Sequence, residues 1–166
     1  KIAKSKPEHL VRICCDNPLH SHKVVDFVVK EYHLAGTHYF SNSNQEPDYL
    51  EDGFDVEVFS YESLKEAHEK AKLLSEREHV CPYIKKHFSC SWKKVDKRYN
   101  FKLSVDTAAD FAMADRIFSE LEELSDFGIL EVTDLLLAKP EILKLNEEST
   151  INSGFKKSLN EDRIVK

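Results

Sequence analysis

Two short apolar runs, each followed by an aspartate, restrict the folds open to this chain. The first run covers residues 10–15 and ends in Asp16 with an Asn-Pro turn behind it, and the second covers residues 101–105 and ends in Asp106. Apolar runs of this length, bounded by turn residues, predict buried strands. Ligands of open α/β sheets bind at the carboxyl ends of the strands, so the two carboxylates are candidates for one shared cation site.

Each aspartate also has an ordinary structural explanation. An Asp-Asn-Pro turn commonly uses the aspartate to bond its own backbone, and Asp106 could cap the helix that follows it. For Asp16 and Asp106 these explanations stay open beside the shared cation site.

Segments with helical periodicity alternate with the predicted strands. Apolar side chains at helical spacing predict a helix over 22–35, which Ser21 caps and Gly36 ends. A second helix is predicted over 108–124, capped by Thr107 or the aspartate before it. Strands that alternate with helices predict an α/β layered fold.

A third strand is predicted from alternating apolar and acidic residues over 54–59, which places Asp55 and Glu57 on one face. Two interpretations of that face stay open. Either it meets solvent, as acidic side chains usually do, or it lines a polar pocket in which the carboxylates accept hydrogen bonds from sugar hydroxyl groups.

Length and charge set the class of protein. With 166 residues, 41% of them hydrophobic, the chain can form one domain, or a large part of one, around a core. The net charge of −6 argues against nucleic acid or an anionic membrane surface as a partner. Four cysteines without a CxxC pair predict free thiols in the reducing cytoplasm.

Five segments occur in an order that resembles one enzyme family. Their motifs include Arg-x-x-x-Asp-Asn-Pro-Leu, Glu-Arg-Glu-His and Val-Asp-Thr-x-x-Asp, and they cover residues 12–19, 53–59, 76–84, 105–110 and 152–162. Together they resemble the spore-coat-polysaccharide type of cytidylyltransferase, a relative of the acylneuraminate and 3-deoxy-manno-octulosonate cytidylyltransferases. The resemblance implies a Rossmann-like nucleotide-diphospho-sugar transferase fold, with a mixed, mostly parallel sheet and flanking helices.

The resemblance also implies an activity and its site residues. Such an enzyme joins CTP to a sugar or sugar acid for surface polysaccharide synthesis, uses Mg²⁺ and releases pyrophosphate. It would be cytoplasmic and homodimeric, and we expect the dimer contact over residues 76–99. Asp16 and Asp106 would bind the metal, and Arg12 would lie at the nucleotide end of the first strand. The sugar pocket would be lined by Asn42, Asp55, Glu57, Glu78 and His79.

One segment of the family pattern is expected before Lys1, namely the Gly-Ser-x-Arg-Leu-x-x-Lys loop that holds the nucleotide. We therefore expect residues 1–145 to be the carboxyl-terminal portion of a cytidylyltransferase-like domain, inactive in isolation, and residues 146–166 to be a polar, loosely packed tail. Two other functions stay open: a non-catalytic sugar or nucleotide-sugar binding or assembly module, and a metal-dependent glycosyltransferase.

Overall fold

The computed structural model describes residues 6–43, 52–93, 99–124, 126–151 and 153–165. The strands in these residues are β1 (His9–Arg12), β2 (Tyr39–Ser41), β3 (Glu57–Ser60) and β4 (Cys90–Trp92). The helices are α1 (His22–Ala35), α2 (Tyr61–Lys70), α3 (Leu74–His79), α4 (Cys81–His87), α5 (Ala108–Glu120), α6 (Ile129–Ala138) and α7 (Ser153–Asn160), with a 3₁₀ helix over Pro140–Asn146.

The four described strands form one sheet in the order β1-β3-β2-β4. Strand β3 is antiparallel to both of its neighbours, whereas β2 and β4 are parallel. A mixed sheet with flanking helices is therefore confirmed. The expectation of mostly parallel pairing is wrong for these strands, because β3 is inserted between β1 and β2, which run in the same direction.

Alternating side chains of the sheet supply two apolar clusters. On one face, Phe40, Val56 and Val58 pack with Val28 of α1. On the other face, Tyr39 and Phe59 pack with residues of α2 and α4. A third cluster joins α5, α6 and the 3₁₀ helix, and its buried members are Leu19, Phe54, Leu103, Met113, Ile117, Leu121, Val132, Leu136 and Ile142.

Several predicted boundaries are confirmed. Ser21 caps α1 by accepting a hydrogen bond from the backbone N–H of Lys23, and Gly36 ends the helix in the left-handed conformation. Thr107, rather than Asp106, caps α5. The first strand ends earlier than predicted, since β1 ends at Arg12 and the chain turns at Cys15 and Asp16.

The predicted strand over 101–105 is not a strand of the sheet. Lys102 forms one isolated parallel bridge with Asp52, and the backbone N–H of Val105 donates to the Asp16 carbonyl at 2.8 Å. Lys102 and Ser104 are both buried, and their polar groups bond to side chains instead of a neighbouring strand. The segment alternates apolar and polar residues as a strand does, but it lacks the ladder of backbone hydrogen bonds to a neighbouring strand.

Gly53 allows this segment to approach Asp52 closely. Gly53 has a φ of 98°, and a Cβ atom there would lie 2.7 Å from the carbonyl carbon of Leu103. Because that distance is shorter than a van der Waals contact and the φ favours glycine, no other residue fits without movement of the backbone.

The tail after residue 145 is better packed than its composition predicts. Ser158 of α7 donates to Glu78 at 2.7 Å, and Asp162 accepts hydrogen bonds from the backbone N–H of Ser75 at 3.0 Å and from its hydroxyl at 2.9 Å. Leu74 donates its N–H to the Arg163 carbonyl at 2.9 Å. The expectation of loose packing is wrong for the part of the tail that the structure describes, because its polar groups find partners on α3.

Candidate functional site

The structure brings the two predicted metal-binding segments together. Asp16 lies in the turn after β1, and its carbonyl accepts the hydrogen bond from Val105, the residue immediately before Asp106. The backbones that carry the two carboxylates are therefore adjacent, although 101–105 does not belong to the sheet.

The Asp16 carboxylate is incompletely satisfied by the described residues. Its Oδ1 atom is buried and accepts no hydrogen bond from them. A buried carboxylate oxygen without a donor or a cation costs free energy. Asp16 therefore suits a hard cation, since carboxylate oxygens are the ligands that Mg²⁺ and Ca²⁺ prefer.

The Asp106 carboxylate meets a cation supplied by the chain itself. The Lys102 Nζ atom lies 2.8 Å from Oδ2 of Asp106 and 3.3 Å from Oδ2 of Asp110. Burial acts to lower the pKa of Lys102, but the hydrogen bond and the charge of Asp106, together with Asp110, outweigh it and raise the pKa. The side chain of Asp106 is still 44% exposed, so it remains accessible to a ligand.

Asp110 holds the start of α5 against Lys102. Its Oδ2 atom accepts from the backbone N–H of Thr107 at 2.9 Å, and its Oδ1 atom accepts from Asn146 at 3.0 Å. Burial acts to raise the pKa of Asp110, but the hydrogen bonds from Asn146, Ser149 and Thr107 bring it well below its usual range. The Thr-x-x-Asp spacing is a capping-box signal from which this role was predictable.

Glu57 is the buried centre of a second charge cluster. It lies opposite Arg12 in the β1–β3 register and forms an ion pair with it. Its other carboxylate oxygen accepts from the Tyr39 hydroxyl at 2.7 Å and lies 3.1 Å from Lys85 Nζ. Burial acts to raise the pKa of Glu57, but Lys85 and Arg12 outweigh it and lower the pKa to about 2. The solvent-facing interpretation is therefore wrong for Glu57.

Asn42 and Asp55 lie near the start of β3. Asn42 is fully buried, donates to the Phe54 carbonyl at 2.9 Å and accepts from the Val56 N–H at 2.8 Å. These bonds fix the backbone on both sides of Asp55. Burial, together with the charge of Asp52, raises the pKa of Asp55 to about 6 despite a hydrogen bond from Ser43.

Glu78 and His79 belong to a different region of the described structure. Glu78 accepts the hydrogen bond from Ser158, and the His79 ring packs edge-on against Phe155 with centroids 4.9 Å apart. None of their hydrogen bonds or ring contacts within the described residues reaches Asp16. The structure groups them with the tail.

None of the helices in the described residues has the length and apolar character of a membrane span.

Within the described ranges, no group of three or more His, Cys, Asp or Glu side chains is arranged to hold a metal ion. A site built from Asp16 and Asp106 would supply two protein ligands. Mg²⁺ commonly binds through one or two carboxylates and completes its shell with phosphate oxygens and water, so this donor set fits a cation that is shared with a phosphate.

Comparisons with known proteins support the fold. No family model matches the chain. It is 31% identical over 146 residues to the uncharacterized protein MJ1063 of Methanocaldococcus jannaschii, an alignment that covers 82% of this chain and 56% of that protein. It superposes with a TM-score of 0.74 and 24% identity on the structure of a cytidylyltransferase from Leptospira borgpetersenii serovar Hardjo-bovis, covering 87% of this chain and 60% of that one.

The chain thus spans somewhat more than half the length of each of these proteins. The likeness to the Leptospira enzyme extends over most of the chain. Over 87% of its residues, the chain shares the fold of the Leptospira cytidylyltransferase.

Proposed function

We propose that this chain supplies the cation-binding and sugar-binding part of a cytidylyltransferase, which transfers CMP from CTP to a sugar or sugar acid and releases pyrophosphate. The cytidylyltransferase fold supports the reaction class. The observation that carries the proposal is the hydrogen bond between Asp16 and Val105, because it joins the two carboxylate-bearing segments beside a buried, unsatisfied Asp16 oxygen.

The arrangement suits nucleotidyl transfer. In that reaction a sugar oxygen attacks the α-phosphorus, and catalysis depends mainly on positioning and on neutralising charge. Asp16 and Asp106 would hold Mg²⁺, which supplies neutralising charge to the phosphates when bound. The chain's own contribution is to fix the two carboxylates on adjacent, hydrogen-bonded segments.

Of the residues predicted to line the sugar pocket, we propose that Asp55 contacts the sugar. The hydrogen-bonding groups of Asn42 bond to backbone, and Glu57 already has three partners. Arg12 pairs with Glu57, so we propose that it supports the strand end instead of contacting the nucleotide. Sugar contacts by Asn42, Glu57, Glu78 and His79 stay predictions.

The cation site can be tested by titrating the 166-residue chain with Mn²⁺ and measuring binding by calorimetry and by electron paramagnetic resonance. We expect Asp16→Asn and Asp106→Asn each to weaken Mn²⁺ binding by tenfold or more, on the order of one lost charged ligand. Asp134→Asn, on the exposed surface of α6, is the matched control and should bind as the unaltered chain does. Equal Mn²⁺ binding by all four proteins would contradict the proposed site.

The reaction can be tested by following pyrophosphate release from CTP with a panel of sugars and sugar acids, using the natural full-length gene product. We expect CMP-sugar formation that Asp106→Asn abolishes. Sugar binding without turnover would indicate the binding module instead, and hydrolysis of UDP- or GDP-sugars would indicate a glycosyltransferase.

The homodimer and the cytoplasmic location remain proposals. Three stretches lie outside the described residues: residues 94–98 of the expected dimer contact, residues 44–51 before Asp52, and residue 152 of the last family motif.

A further inference from the structure

Lys102 is a buried cation beside the proposed metal ligand Asp106. Its side chain is only 6% exposed, whereas lysines are almost never buried unless they are paired. Sequence patterns gave no reason to assign it a role in the site, since it alternates with apolar residues as a solvent-facing strand residue would.

The Lys102 ammonium group is also held by Ser104. It donates to the Ser104 carbonyl at 2.8 Å and to the Ser104 hydroxyl at 3.0 Å. Ser104 is held in turn by Asp52, whose Oδ2 accepts from that hydroxyl at 2.7 Å. Because the buried Asp110 carboxylate also relies on this ammonium group, moving Lys102 away would leave a buried charge unpaired.

The charges of this cluster do not balance. Lys102 contributes one positive charge, while Asp106 and Asp110 in direct contact with it contribute two negative charges. Asp16 adds another on the adjacent segment. The excess negative charge favours a further cation, but Lys102 already occupies one oxygen of Asp106 and repels that cation.

We propose that Lys102 is a positioning residue that acts as an internal counter-cation: it fixes the Asp106 carboxylate and keeps the affinity of the free chain for a divalent cation low. This inference rests on the proposed function, since it concerns the same pair of carboxylates. If Lys102 acts in this way, the cation binds tightly only together with an anionic ligand such as a nucleoside triphosphate, which offsets the charge of Lys102.

Removing Lys102 should therefore strengthen metal binding. A unit charge a few ångströms from a dication changes its affinity by about tenfold even at the dielectric constant of water. We expect Lys102→Met to tighten Mn²⁺ binding in the absence of nucleotide by about tenfold. Lys102→Arg keeps the charge and should stay within about threefold of the unaltered chain.

Lys23→Met is the matched control, because Lys23 forms a comparable pair with Asp126 at 2.7 Å on the surface. It should leave Mn²⁺ affinity unchanged. A merely structural role for Lys102 would not produce a gain, since damage to the fold weakens binding. Unchanged or weaker Mn²⁺ binding by folded Lys102→Met, while the unaltered chain binds through Asp16, overturns the inference and leaves the proposed function intact.

The absence of Mn²⁺ binding in both the unaltered chain and Lys102→Met would overturn the proposed site and the inference with it. If Lys102→Met does not fold, the Mn²⁺ titration is repeated with Lys102→Gln, which should tighten binding by a similar factor, and the lysine ammonium signals in the ¹H–¹⁵N spectrum of the unaltered chain test whether Lys102 lies beside the bound cation. We expect a protected Lys102 signal that substoichiometric Mn²⁺ broadens in the unaltered chain but not in Asp16→Asn. A Lys102 signal that bound Mn²⁺ leaves sharp would refute the proposed proximity.

Discussion

Replacement of Glu57 by glutamine should remove about 3 kcal/mol of stability at neutral pH. The pKa of Glu57 is about 2 instead of its ordinary 4.5: burial acts to raise it, but the charges of Lys85 and Arg12 outweigh that effect. A tenfold change in proton affinity corresponds to 1.36 kcal/mol, so lowering the pKa of Glu57 from 4.5 to about 2 is worth about 3 kcal/mol of stability.

The sign of the pH dependence follows from the lowered pKa. A carboxylate that ionises more readily in the folded state stabilises the fold above its unfolded pKa, and this contribution is lost as the pH falls through the folded pKa. For Glu57 the stabilisation is complete above pH 4.5 and is lost as the pH falls toward 2. Glu57→Gln should therefore lose stability at pH 7 and depend less on pH in that window.

The assay is urea unfolding from pH 7 down to pH 2.5. It can be followed by the fluorescence of Trp92, whose ring lies 6.1 Å from that of Tyr39, a direct partner of Glu57. Glu69→Gln is the control, because Glu69 is an exposed acid that lies 3.9 Å from the equally exposed Lys65. Asp110 also has a lowered pKa, so the difference between variant and unaltered chain isolates Glu57.

Two results would refute the reasoning about Glu57. One is a loss at pH 7 that does not exceed the loss in Glu69→Gln. The other is a pair of stability profiles that run parallel between pH 5 and pH 2.5, which would mean that Glu57 has the same proton affinity in the folded and unfolded states.

Two further predictions concern the backbone around the site and the tail. Gly53→Ala should cost about 1–3 kcal/mol more in urea unfolding than Gly36→Ala, because both have positive φ but only the Cβ at residue 53 would meet backbone; equal costs would contradict the close approach. Asp162→Asn should speed hydrogen exchange at the Ser75 amide that Asp162 holds, and Glu161→Gln should not; unchanged exchange would show that this contact does not hold the tail.

Local signals predicted much of the secondary structure. Ser21, Gly36 and Thr107 cap helices through the backbone of their own turn, so the residues next to them in the sequence are enough to predict these roles. The alternation over 54–59 located β3, since a period of two is a property of the strand itself.

Pairing between distant residues was less predictable. The run over 101–105 has the composition of a strand, but strand formation depends on whether a neighbour offers a free edge, and here the segment makes one bridge with Asp52. Likewise, Glu57 was predicted as an acid on a polar face, because nothing near it in sequence shows that Lys85 will neutralise it. The role of Lys102 was missed for the same reason: burial, not local spacing, gives the ammonium group its partners.

The central position of β3 imposes an order of events on folding. Strands β1 and β2 are separated in the sheet by β3, which follows both of them in the chain. Because β1 and β2 do not pair with each other, their backbone N–H and C=O groups stay unpaired until Glu57–Ser60 is synthesised. Unpaired strand edges of this kind are templates for aggregation. We expect β1 and β2 to acquire stable strand structure only once β3 has been synthesised, so that these three strands pair in a single cooperative step.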